Sequence, residues 1–155
     1  MKDDGIDSVN LLHETMYQNI IGNGKDNVEI VVERLINALQ FKRKLVGTIY
    51  LREAILNRFA RVNVARVGLS CDVYPYVAKK LHSTVNRVER AIRNTINDCF
   101  EHGALQNFNY LMQSQVISPK YAPSNGELLS VIVSWLWLEQ KLDHIKYDNN
   151  LSDFC

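Results

Sequence analysis

An all-α fold is predicted by three features of this 155-residue sequence. Apolar residues recur at i, i+3 and i+4 intervals along almost every segment. Cap residues such as Asp, Ser and Thr precede these segments, and glycines end two of them. No pair of alternating apolar runs has the form of a hairpin.

The elements follow in order. Asp7 or Ser8 can cap a first helix, with Val9, Leu12, Met16 and Ile20 on one face, and the GNG at 22–24 stops it. Asp26 and Glu29 form a capping-box pattern for a second helix. Its apolar set is Val28, Val31, Val32, Leu35, Ile36 and Leu39, and it is expected to end near Lys42-Arg43-Lys44, where cations suit a C-terminus. A third helix is expected over about Leu45 to Arg61, with Val46, Ile49, Tyr50, Ala54, Ile55 and Phe59 inward. Residues 62–71 read as a loop. Asp72 can cap a short helix through Leu81, with Pro75 in its first turn. Ser83 or Thr84 opens the next helix, which stops at Gly103. A weak helix is expected around Leu105 to Met112. Pro123 and Ser124-x-x-Glu127 start a last helix through about Leu142. Residues 1–26 are thus an N-terminal helical extension, 27–144 the main domain, and 145–155 a flexible tail.

Composition narrows the function. The longest apolar stretch, LLSVIVSWLWL at 128–138, is too short to span a bilayer, and the acidic start MKDDGIDS is no signal peptide. The expected location is the cytoplasm, with no membrane partner. Cys71, Cys99 and Cys155 are odd in number and form no C-x-x-C pair, which argues against a disulfide framework or zinc finger. His13, His102 and His144 lack ligand spacing, so no metal is expected. GNGK at 22–25 lacks the length and hydroxyl of a phosphate loop, and no H-E-x-x-H or nucleophile–base set is present. No enzyme activity, catalytic residue, cofactor or small-molecule substrate is expected.

Charge is unevenly distributed. Residues 27–103 hold 13 Lys or Arg against 7 Asp or Glu, while residues 1–26 hold 2 against 5 and residues 104–155 hold 3 against 5. A basic middle between acidic ends suits a polyanion contacted by the middle. A solvated basic face would produce the same counts.

Within that middle, two helices separated by a turn near 82–84 have helix-turn-helix spacing. Ala78 is small where the pair must approach, and Leu81, Val85 and Val88 are apolar where it must share a seam. On a helical wheel centred on Val88, Ala91, Ile92, Thr95, Ile96 and Cys99 fall within about 80°. Asn86, Arg87, Arg90, Arg93, Asn94 and Asn97 lie on the other side, with Glu89 at the border. An arginine fork can donate twice to guanine O6 and N7, a glutamate can accept from cytosine N4, and asparagine can pair with adenine. Recognition helices present such groups from their first turns. The competing reading is a solvated helix with a Glu89–Arg93 i, i+4 ion pair. Lys79 and Lys80 lie where the preceding helix would cross the DNA backbone, and Ser83 and Thr84 can cap and touch phosphate. Arg52, Arg58, Arg61 and Arg66 are candidates to extend the basic surface, although Arg52 could equally pair with Glu33 or Glu53.

The stretches GTIYLREAI at 47–55, YPYVAKKL at 74–81, STVNRVERAIRNTI at 83–96, and PSNGELL with WLE at its helix end (123–139) resemble a known family. It is the C-terminal DNA-binding effector domain of the sporulation initiation response regulator, the stage zero sporulation protein A family. The resemblance implies an all-helical domain of about six helices that regulates transcription. It implies binding to a GTCGA-like box in double-stranded DNA, often as a head-to-tail pair, and contact with RNA polymerase sigma factors. The family's base readers map onto Arg87, Glu89 and Arg90. Lys79, Lys80, Ser83, Thr84, Asn86, Arg93 and Asn94 are the candidates for other DNA contacts.

Three departures from the family stand out. Only about 26 residues precede the resemblance, too few for a receiver, so control by phosphorylation in cis is not expected. The last helix is apolar nearly all round, so Trp135 and Trp137 are candidates for a partner surface. YAPSNGE lacks the basic residue the family usually carries before its proline. The alternative function is a receiver-less protein–protein module that pairs with the full-length regulator or a sigma factor. The N-terminal helix is expected to pack on the domain, or else to serve as a dimerisation arm.

Overall fold

A computed structural model describes residues 4–22, 26–64 and 66–151. The described residues form seven α-helices, one π-helical turn and one 3-10 turn, with no strand. The fold is all-α.

Helix α1 spans Asp4–Ile21 and α2 spans Val28–Ala38. The cap of α2 is Asn27, whose side chain accepts from the Ile30 N–H at 3.0 Å. Asp26, expected in that role, instead pairs with Arg34 at 2.6 Å. Helix α2 also stops short of the basic run at 42–44. Gln40 adopts φ +58°, the Gln40 N–H donates to Asn37 at 3.0 Å, and the Phe41 N–H donates to Ile36 at 3.2 Å. This is a Schellman turn built without glycine. A left-handed residue costs about 1–2 kcal/mol. Burial of Leu39 and Phe41 on either side of the turn offsets it.

Helix α3 spans Val46–Ala60, and its inward face differs from the expected one. Val46 and Ile49 are about half exposed (51% and 48%), while Gly47, Thr48, Leu51, Ala54 and Ile55 are buried. The cause is Gly47. A Cβ there would lie 2.1 Å from both the Ala91 carbonyl oxygen and Thr95 Oγ1. Only glycine permits this backbone approach, so it rotates the helix away from its apolar stripe.

After a π-helical turn at Leu69–Val73 come α4 (Tyr74–Lys80) and α5 (Val85–Glu101). The short helix therefore starts at Tyr74 rather than Asp72, whose carboxylate accepts from the Gly68 N–H at 2.8 Å. Gly103, at φ +77°, lies just past the end of α5 and its cap His102. A 3-10 turn at Ala104–Gln106 leads into α6 (Asn107–Met112). Helix α7 spans Asn125–Leu151. Its expected capping box is present: Ser124 Oγ accepts from the Glu127 N–H at 3.1 Å, and the Glu127 carboxylate accepts from the Ser124 N–H at 3.3 Å. The helix passes the expected end at Leu142 and enters the stretch read as a tail; residues 152–155 lie outside the described residues.

The core sits between α3, α5 and α7. Helix α5 contributes Val88, Ile92, Thr95, Ile96 and Cys99, and α7 contributes Leu128, Leu129, Ile132, Val133, Trp135 and Leu136. Cys99 donates to the Leu39 carbonyl at 3.1 Å, and burial pushes its thiol pKa up to about 12. Helix α1 packs on this body. Ile20 and Ile21 are buried, His13 Nε2 meets the Leu111 carbonyl at 3.1 Å, and the Tyr17 hydroxyl donates to the Glu139 carboxylate. Trp135, a candidate for a partner surface, lies in the core of this structure: it is 4% exposed and packs edge-on against Phe108 at 6.2 Å between ring centroids. Trp137 is half-buried. Among the described residues no helix is long and apolar enough to cross a membrane.

Candidate nucleic-acid interface

Helices α4 and α5 form the helix-turn-helix pair. Lys80 ends α4, the Leu81 N–H donates to Val77 at 3.0 Å, His82 turns left-handed at φ +54°, and the Ser83 N–H donates to Ala78 at 2.8 Å. This second Schellman turn redirects the chain within a few residues. Thr84 then caps α5, with Oγ1 accepting from the Arg87 N–H at 3.3 Å. Ala78 and Val77 are buried, as the shared seam requires.

The first turns of α5 face solvent. Asn86, Arg87 and Arg90 are exposed, and Arg93, Asn94 and Asn97 continue the same face. The guanidinium groups of Arg87 and Arg90 form no ion pair or hydrogen bond with the described residues. Their guanidinium forks are free to donate. Glu89 is partly exposed and pairs with Arg93 at 2.5 Å, the i, i+4 bridge anticipated from sequence.

The cations beside this face divide into two kinds. Lys79 is exposed and makes no ion pair among the described residues. Lys80 Nζ lies 2.8 Å from Glu53, and this hydrogen bond, with the charge of Glu53, raises its pKa. Glu53 is 7% exposed and also takes Arg52 at 2.8 Å; Arg52 reaches Glu33 as well. Arg52 is thus committed to acids and does not extend the basic surface as a free cation.

Two features escape the sequence reading. Tyr76 is 40% exposed, and both Arg61 and Lys80 stand 6.0 Å from its ring centroid. An aromatic ring with cations over it is a cation–π arrangement, but Arg61 is remote in sequence and no pattern joins it to Tyr76. Asn125, the first residue of α7, is buried, and its Nδ2 donates to Tyr74 Oη at 3.0 Å and to the Glu89 carbonyl at 3.1 Å. Burial pushes the Tyr74 phenol above its usual range, opposed in part by the Asn125 hydrogen bond. The only signal of this contact in the sequence is the capping box that surrounds Asn125.

The assembled face carries two free forks, an acceptor between them, and exposed amides on one helix. These are the groups that hydrogen-bond base edges in a major groove. Residues 32–136 match the family model described as "Sporulation initiation factor Spo0A C terminal". That family is one of DNA-binding transcription regulators rather than of enzymes, and this chain belongs to it.

Proposed function

We propose that α5 reads a GTCGA-like box in the major groove of double-stranded DNA. Arg87 and Arg90 each donate to a guanine, and Glu89 accepts from a cytosine. Lys79, Lys80, Ser83, Thr84, Asn86, Arg93 and Asn94 hold phosphates and flanking positions. The observation that carries this reading is the pair of exposed arginines left without acids on the first two turns of a capped helix. On a helix decorated only for solubility, such arginines would be expected to find i, i+4 acids, as Arg93 does.

Glu89 holds Arg93 through one carboxylate oxygen, Oε1, which leaves Oε2 to accept from a cytosine amino group. An exposed pair of this kind is worth only about 0–1 kcal/mol. The pair is therefore a small barrier to base reading, and Arg93, when it leaves Glu89, can turn to a phosphate. Lys80 differs, because leaving Glu53 strips one cation from a nearly buried carboxylate. Arg52 remains on Glu53 when Lys80 moves. The resemblance noted in the sequence further supports head-to-tail pairs on DNA and contact with a sigma factor through the region after α5.

The test is fluorescence anisotropy with a labelled duplex carrying a GTCGA core, beside a scrambled duplex, across a salt series. The expected result is a clear preference for the box, with both affinities falling as salt rises. Equal weak binding to both duplexes would reject base reading and favour a protein–protein module.

A further inference from the structure

We propose that Asn125 is a positioning residue for base reading: from the start of α7 it fixes the recognition helix against the first helix of the pair. The proposal rests on the base-reading role of α5 given above.

One amide nitrogen joins three helices. Asn125 Nδ2 donates to the Glu89 carbonyl at 3.1 Å, and Glu89 stands between Arg87 and Arg90 on α5. The same nitrogen donates to Tyr74 Oη at 3.0 Å, on the first residue of α4. The orientation of the amide follows from chemistry, because a carbonyl oxygen can only accept and the NH2 group must face it. Asn125 itself is held by the Ser124–Glu127 capping box. It is 8% exposed, and Tyr74 is 3% exposed, so water competes little for these bonds.

The consequence is geometric. A fork that donates twice to one guanine needs both N–H groups within hydrogen-bond distance together. A shift of α5 by a fraction of an ångström weakens one of the two bonds. Phosphate contacts tolerate such shifts better, because they are largely charge attraction. Loss of the Asn125 bonds should therefore lower affinity for the box and leave the scrambled duplex almost untouched.

The experiment measures binding of Asn125→Ala, Tyr74→Phe, Arg90→Ala and the Asn125→Ala/Arg90→Ala double variant to both duplexes. The full chain is used, at a temperature where circular dichroism shows each variant folded. Asn125→Ala is expected to weaken box binding about tenfold, as misplacing one bidentate reader does, with scrambled binding and the salt slope unchanged. Tyr74→Phe keeps the bond to Glu89 and should lose less, about twofold to threefold; it carries the test if Asn125→Ala does not fold. In the Arg90→Ala background, Asn125→Ala should cost only about twofold, because it acts through the same readers. Equal losses on both duplexes, or full additivity with Arg90→Ala, would overturn the positioning role. A wild-type chain with no preference for the box would fail before any variant is compared, and would remove the base-reading function together with this proposal.

Discussion

Helices α5 and α7 border the same core and reach it by opposite routes. Helix α5 is two-faced: Val88, Ile92, Ile96 and Cys99 are buried, while Arg87, Arg90 and Asn94 meet solvent. Helix α7 is apolar nearly all round between Leu128 and Leu138 and buries most of that girth. The surroundings explain the difference. One side of α5 faces solvent and the other the core, so its sequence separates polar from apolar residues. Helix α7 packs on α3 and α5, meets Phe108 of α6 with Trp135, and meets Tyr17 of α1 at Glu139. An open face is therefore written in one helix's own residues, whereas a covered face depends on what other segments bring.

The strongest test of this contrast is Trp135→Ala. Loss of a buried indole should cost about 3–5 kcal/mol of folding stability, read from urea melts, while DNA preference survives in the folded fraction. A cost below about 1 kcal/mol, together with a change in association state, would return Trp135 to a partner surface. Next comes the seat of α5. Gly47→Ala places a methyl group against Ala91 and Thr95 and should destabilise by about 3 kcal/mol in the same assay.

The open face should respond in binding rather than stability. Arg90→Ala is expected to lose about 1–3 kcal/mol on the box and to relax preference at one base, with a melting curve close to wild type. A uniform loss over all duplexes would make Arg90 a phosphate contact. Thr84→Ala removes the cap of α5 and should cost about 1 kcal/mol of stability, seen as a lowered urea midpoint. The smallest effect is expected from Arg93→Ala. Breaking an exposed pair with Glu89 should change stability by less than about 1 kcal/mol, while steepness of the salt dependence on DNA falls as one phosphate contact is lost.

Much of the proposed reading face is legible in the amino-acid order alone. Thr84 as cap, Arg87 and Arg90 outward, and Val88, Ile92 and Cys99 inward all follow from 3.6-residue periodicity and cap chemistry, which act within a few turns. The Ser124–Glu127 box is equally local. The departures from local expectation share one physical origin. Local cues carry α2 on toward the basic run at 42–44, but the Gln40 turn ends it earlier so that Phe41 can be buried. Helix α3 is rotated from its apolar stripe, because Gly47 answers to α5 rather than to its own neighbours.

The sequence by itself determined the helical class, the family and the chemistry of the face proposed to read DNA, because each is carried by residues close together in the chain. The tertiary structure alone decided that Trp135 is core, that Lys80 and Arg52 converge on Glu53, and that Asn125 ties α7 to the carbonyl of Glu89. Each of these depends on side chains from different helices meeting within a few ångströms, and no local period or cap records such a meeting.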